Sequence, residues 1–302
     1  MKRRDFIQKT AAGSALVLGG LSLSSFSLPT AKKITILHTN DVHSHIDPFP
    51  ASDPKYPNMG GAARRASVIE SIRRENPNVL LLDAGDIFQG TPYFNYYGGE
   101  LEFKLMSMMK YDLATLGNHD FDNGLQGFLA QLPNASFDFV SANYDFKNTI
   151  LDGLIKPYKI FIKDGIKIGV FGLGIELQGL VDPVNYKETV YNDPLKVAQD
   201  MARILRHTEK CDLIICLSHL GFIFNNEPTK VNDLMLARNT KDIDLIIGGH
   251  THTFLNKPYI EKNIDGKEVL VNQVGCYGLN LGQIDFYFEQ GKMSSKGRVI
   301  SV

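Results

Sequence analysis

From residue 33 to residue 290, short apolar runs alternate with stretches of helical period, and this alternation restricts the available folds more than any other feature. The runs are KITILHT (33–39), NVLLLDA (78–84), DLATLG (112–117), FDFVSAN (137–143), YKIFIK and IKIGVFGLG flanking Asp164-Gly165, CDLIICLSH (211–219), IDLIIGG (243–249), KEVLVNQVG (267–275) and QIDFYFEQ (283–290). These runs read as strands, and Asp-Gly between two of them predicts a hairpin turn. Helical period covers 61–75, 100–110, 123–132, 194–209 and 230–238; Asn192/Asp193 precede Pro194 as the best start signal. About nine strands interleaved with helices predict a layered α/β fold with mixed sheets.

Residues 1–31 stand apart. Lys2, Arg3, Arg4 and Lys9 face a lone acid, Asp5, and residues 11–31, AAGSALVLGGLSLSSFSLPTA, carry no charge. A basic head followed by an apolar, small-residue stretch is the pattern of a targeting segment. RRDFIQK resembles the twin-arginine export signal, which implies delivery to a bacterial periplasm. No clean A-x-A cleavage site follows, so an uncleaved segment acting as a membrane anchor stays open. No Pro/Gly/Ser-rich linker divides the remainder, and residues 32–302 are expected to form one domain.

The chain carries 32 Lys+Arg against 33 Asp+Glu. Without residues 1–31 the balance is 28 positive against 32 negative side chains, or −4, so no basic field favours a nucleic acid polymer. Three cysteines, Cys211, Cys216 and Cys276, are too few for a disulfide framework. Within one strand, Cys211 and Cys216 would lie roughly 16 Å apart, beyond the reach of a disulfide. They are expected to be buried free thiols.

Several apolar runs end abruptly in polar residues of metal-ligand type: Asn40-Asp41-Val42-His43, Asp83-Ala84-Gly85-Asp86, Gly117-Asn118-His119-Asp120, Ser218-His219 and Gly249-His250-Thr251-His252. Ligand sites of α/β sheets lie beyond the carboxyl ends of strands, so clusters more than two hundred residues apart can converge there. Singly, each has a plainer reading: Asp41 and Asp86 as helix caps, Asn118 in a left-handed turn, His219 as a core histidine. Jointly, five of the eight histidines fall inside these clusters, which favours one site. Imidazole, carboxylate and amide donors without thiolate suit Zn²⁺, Mn²⁺ or Fe²⁺. Side chains two apart point the same way on extended backbone, so Asp41/His43 and His250/His252 can each reach a two-metal centre, with Asp86 the natural bridge.

N-D-x-H (40–43), G-D (85–86), G-N-H-D-F-D (117–122), S-H (218–219) and G-H-T-H (249–252), in that order, resemble the calcineurin-like metallophosphoesterases. The words ILHTNDVHSH, LLLDAGDIFQGTP, ATLGNHDFDNG and IIGGHTH resemble the 5'-nucleotidase branch, which includes UDP-sugar hydrolases and cyclic-nucleotide phosphodiesterases. The resemblance spans residues 33–290 and implies two mixed sheets sandwiched together and flanked by helices. It implies one divalent ion held by Asp41, His43 and His252, a second by Asn118, His219 and His250, and Asp86 bridging both. His119 matches the family's catalytic histidine and Asp122 the carboxylate that orients it, with Asp120 the alternative orienter; Asn118 and His119 would contact the phosphate. The expected function is an exported phosphohydrolase acting on nucleotides or related phosphate esters through metal-activated water. A thiosulfohydrolase on the same scaffold and a metal-dependent, non-catalytic binding module are the alternatives; the His119/Asp122 pair argues against the latter.

Three histidines remain. His38 and His45 are read either as supports for the ligands or as core and surface residues, respectively, and His207 as a surface residue. Tyr93-Phe94-Asn95-Tyr96-Tyr97 is read as packing, with a base-stacking wall as the alternative. Family members with 5'-nucleotidase activity carry a large C-terminal domain that contacts the nucleoside, and this sequence stops at Val302. A separate chain supplying that domain is therefore expected for part of the function, beside a small or non-specific phosphate-ester substrate.

Overall fold

A computed structural model describes residues 31–302. The export signal expected at 1–31 lies outside them apart from Ala31. Two six-stranded sheets face each other. The first is ordered β14 (Lys292–Ser301), β13 (Asn280–Glu289), β1 (Lys32–Thr39), β2 (Val79–Asp83), β3 (Leu113–Ala114), β4 (Asp138–Phe139). The second runs β11 (Tyr259–Lys262), β12 (Glu268–Asn272), β10 (Leu245–Gly248), β9 (Leu213–His219), β7 (Ile166–Gly174), β6 (Tyr158–Lys163). Both are mixed: β1 to β4, and β12, β10, β9 and β7, pair in parallel, while outer strands pair antiparallel. A small sheet pairs β5 (Tyr144–Asp145) with β8 (Val190–Tyr191).

Alternation along each strand builds the layers. Ile34, Ile36, Leu80 and Leu82 face inward against Ile168, Val170, Leu213, Ile215, Leu217 and Ile247 of the other sheet. Leu37 and Leu81 point outward against Ile69, Phe88, Phe103 and Phe128 on one flank. Ile214, Cys216 and Ile246 do so against Ala198, Ala202, Leu205 and Leu234 on the other. Period-2 burial on central strands and helical stripes outside give the helix–sheet–sheet–helix order expected.

Helices form at Ala62–Glu75, Pro92–Tyr97, Glu100–Met108, Gly124–Gln131, Pro183–Tyr186, Pro194–Arg203 and Asp233–Asn239. Asp193 caps the sixth, accepting from the N–H groups of Leu195 and Lys196. That helix gives way to a π-turn at Ile204–Thr208, so it ends short of the expected 209. The strands expected at 112–117 and 137–143 shrink to two residues each, although single ladder bonds continue past them from the Thr115 and Val140 N–H groups. Asp164 and Gly165 both adopt positive φ, making the expected hairpin turn. All three cysteines are free and buried. Among the described residues no helix is long and apolar enough to cross a membrane.

Candidate metal centre

The carboxyl ends of the parallel strands of both sheets meet at one edge of the sandwich. The first sheet contributes the turns after β1 (Asp41, His43), β2 (Asp86) and β3 (Asn118, His119); the second contributes His219 at the end of β9 and His250 and His252 beyond β10. Gly85 and Gly117 let two of these turns lie back to back. A Cβ on Gly85, whose φ is +89°, would stand 2.5 Å from the Gly117 nitrogen, and one on Gly117 only 2.2 Å from Asp86 Oδ1.

Two donor sets result, Asp41/His43/His252 and Asp86/His219/His250, each with ligand atoms within 4.8 Å of one another. His43 Nε2 and His252 Nε2 face each other at 3.0 Å, and His252 Nε2 lies 3.4 Å from Asp41 Oδ1. In the second set His219 Nε2 lies 3.1 Å from Asp86 Oδ2, and His250 Nδ1 lies 2.9 Å from Asn118 Oδ1. The sets touch through Asp86, whose Oδ2 is also 3.8 Å from His43 Nε2. The remote nitrogens of two histidines are already engaged: His219 Nδ1 donates to Ala84 O at 2.7 Å and His43 Nδ1 to Phe88 O at 3.3 Å. That leaves the Nε2 lone pairs turned inward, the usual preparation of a metal-binding imidazole.

Electrostatics agree with a cation at this point. Burial opposes charge on His219, yet Asp86 and Asp41 beside it lift its pKa to about 10. Burial likewise works against the Asp86 carboxylate, but His219 and His43 hold it below the ordinary range. His250 falls to about 4 through burial and the charge of His219. Two buried carboxylates drawing a proton onto a buried imidazole define a place that favours positive charge, and the inward nitrogens and oxygens suit a divalent ion.

Asp41/His43 and His250/His252 do not sit on the extended backbone expected for them. Asp41, His43, Asp86, His250 and His252 all have left-handed φ, between 50° and 69°, rather than extended backbone. His250 and His252 consequently turn to different donor sets. Such backbone is costly for non-glycine residues and clusters at functional sites. Asn118, by contrast, is right-handed at φ −69°.

His119 donates its backbone N–H to Asp86 Oδ1 at 2.8 Å, and its Nδ1 lies 2.9 Å from Asp122 Oδ2. This hydrogen bond raises the His119 pKa against partial burial. Asp122 is thus the partner of the ring, and Asp120 has another task unforeseen from sequence. Its buried carboxylate accepts the N–H groups of Asp86, Ile87, Phe88 and Gly117, stitching the turns after β2 and β3 together. A carboxylate in the middle of a ligand motif was the available signal.

The other expectations divide. His38 is a core residue: its Nε2 accepts from the Asn272 amide across the sandwich at 2.8 Å, and burial lowers its pKa to about 3. His45 stacks on Phe49 and Tyr277 beside the first donor set. His207 is exposed and pairs with Asp242. Tyr93 to Tyr97 form the short helix capped by Thr91, with Phe94 buried and Tyr96 and Tyr97 open to solvent.

The two mixed sheets and the donor sets at their shared edge define the class, an α/β metallophosphoesterase, and such proteins use divalent metals. The model of the calcineurin-like phosphoesterase family matches residues 34–254, and the chain belongs to that family. The chain is 38% identical over 289 residues to a snake venom 5'-nucleotidase of Naja atra, covering 89% of this chain and 52% of that protein. It is 33% identical to a 5'-nucleotidase of Homo sapiens, covering 97% and 52%. A 5'-nucleotidase precursor from Thermus thermophilus superposes with a TM-score of 0.80 at 33% identity, over 90% of this chain and 55% of that one. The chain thus spans about half the length of these relatives.

Proposed function

We propose that this protein is an exported, binuclear-metal phosphohydrolase that removes phosphate from nucleotides or related phosphate esters. The observation that carries this reading is the shared carboxylate: Asp86 Oδ2 lies within reach of an inward nitrogen of each donor set, with His119 fastened to the other oxygen. Asp41, His43 and His252 would hold one ion and Asn118, His219 and His250 the other, with Asp86 between. Divalent ions there, of zinc, manganese or iron, supply Lewis-acid activation of water and neutralise charge developing on the phosphoryl oxygens.

The protein's own groups do the rest. Asp122 accepts a hydrogen bond from Nδ1–H of His119 and raises the ring's pKa, favouring the imidazolium, whose Nε2–H can stabilise the phosphoryl group and pass its proton to the departing alkoxide. Asn118 orients the phosphate beside it. The nucleotide preference is supported by the named activity of the relatives, and export by the basic and apolar leader over residues 1–31. The test is ion content of the purified protein together with phosphate release from nucleoside monophosphates, UDP-sugars, cyclic nucleotides and an aryl phosphate. Chelator-sensitive release from a nucleotide is expected. No release from any of them, with hydrolysis of a thiosulfonate carrier instead, overturns the reading.

A further inference from the structure

His250 and His252 pose a geometric problem. They lie two residues apart, serve different donor sets, and both hold left-handed backbone, at φ 69° and 50°. Left-handed backbone is costly for residues without glycine's freedom, so something outside the loop must hold it.

The side chain that does so is Gln273, fully buried just beyond β12. Its amide NH2 donates to the Gly249 carbonyl, while its carbonyl oxygen accepts from the Thr253 N–H and, at 3.1 Å, from the Thr251 hydroxyl. These three anchors lie before His250, between the two histidines, and after His252. Thr251 is fastened further by the Phe222 N–H at 2.9 Å. The amide has one workable orientation, because reversal would set NH2 against N–H and oxygen against oxygen. Its backbone is in turn fixed: Leu255 donates to the Gln273 carbonyl at 3.1 Å, and the preceding Asn272 is bonded to His38 of the other sheet.

We infer that Gln273 is a positioning residue that divides His250 and His252 between two metal ions, so that one amide governs the affinity of both. The inference rests on the two-ion reading above. Without the amide, Gly249 O and Thr253 N–H lose buried partners, and the loop can relax from the left-handed region. Each donor set then loses a histidine in the same event, unlike removal of either histidine, which depletes one set.

The test is Mn²⁺ binding to the full chain by calorimetry, with electron paramagnetic resonance of the exchange-coupled Mn²⁺ pair as a second readout. Gln273→Glu keeps size and acceptor but loses the donor; Gln273→Ala removes both. Asn143→Ala is the control, since Asn143 is an equally buried amide that clamps Gly174 at 2.8 Å through both ends. Both Gln273 variants are expected to bind both ions roughly 10–100-fold more weakly, with the coupled signal lost at Mn²⁺ concentrations that saturate the wild type. Asn143→Ala should keep wild-type affinity. If Gln273→Ala fails to fold, Gln273→Glu decides. Wild-type affinity for both ions in Gln273→Glu, or equal weakening in Asn143→Ala, overturns the inference alone; a wild type that binds no Mn²⁺ overturns it together with the two-ion reading.

Discussion

His38 gives a prediction whose size follows from its surroundings. The ring is fully buried between the sheets, accepts from Asn272 through Nε2, has no partner for Nδ1 among the described residues, and lies against Gly282. Burial lowers its pKa from 6.5 to about 3, so the folded protein keeps it neutral while the unfolded chain takes up a proton as pH falls below 6.5. The unfolded state then binds more protons, and stability must fall with falling pH through the window from about 6.5 to about 3. Between pH 7.5 and pH 5 the loss amounts to about 2 kcal/mol, one and a half pH units at 1.36 kcal/mol each. His38→Gln can still accept from Asn272 but cannot titrate. Urea unfolding of both proteins should be followed at the two pH values in EDTA, which removes proton–metal competition at the ligand histidines. The wild type should lose about 2 kcal/mol more than the variant over this interval. Equal losses would refute the claim that the His38 environment excludes charge.

Four further outcomes are expected. His119→Ala should lower turnover by roughly two to four powers of ten while metal analysis shows unchanged ion content. Asp122→Asn should move the alkaline limb of the pH–rate profile to lower pH, because Asp122 raises the His119 pKa. Asp120→Ala leaves four backbone N–H groups without their acceptor and should cost about 3 kcal/mol or more in denaturant unfolding. Gly117→Ala drives a methyl group against Asp86 and should weaken Mn²⁺ binding by calorimetry even where circular dichroism reports a normal fold.

The layered fold was legible because its central strands are buried on both faces, and such strands have few apolar substitutes. The edge strand Lys292–Ser301 was not: KMSSKGRVIS alternates weakly, is largely exposed, and owes its existence to a ten-residue ladder with β13. Tyr259–Lys262 escaped for the same reason. The candidate ligand residues stand out by type and by their place at strand ends, but their directions do not, since Asp41, His43, His250 and His252 hold left-handed φ in turns tied by hydrogen bonds to distant parts of the chain. Gln273 carries no local sign of its work, and Asp120 only its place inside the 117–122 motif. Both act on backbone far away in sequence, Gln273 on a loop some twenty residues earlier and Asp120 on one more than thirty residues earlier.

Neither sheet owns either donor set. Asp41 and His43 come from the first sheet and His252 from the second; Asp86 comes from the first, and His219 and His250 from the second. An ion held by either set is therefore a clasp across the sandwich, and capture of metal becomes a report that the halves have docked. The first sheet needs β13 and β14, which come after every residue of the two donor sets in chain order, to cover the far side of β1. Metal acquisition should thus come late in maturation and act as a checkpoint: a misassembled chain offers fragments of two sites, binds weakly, and forgoes the stability that metal binding adds to the docked state.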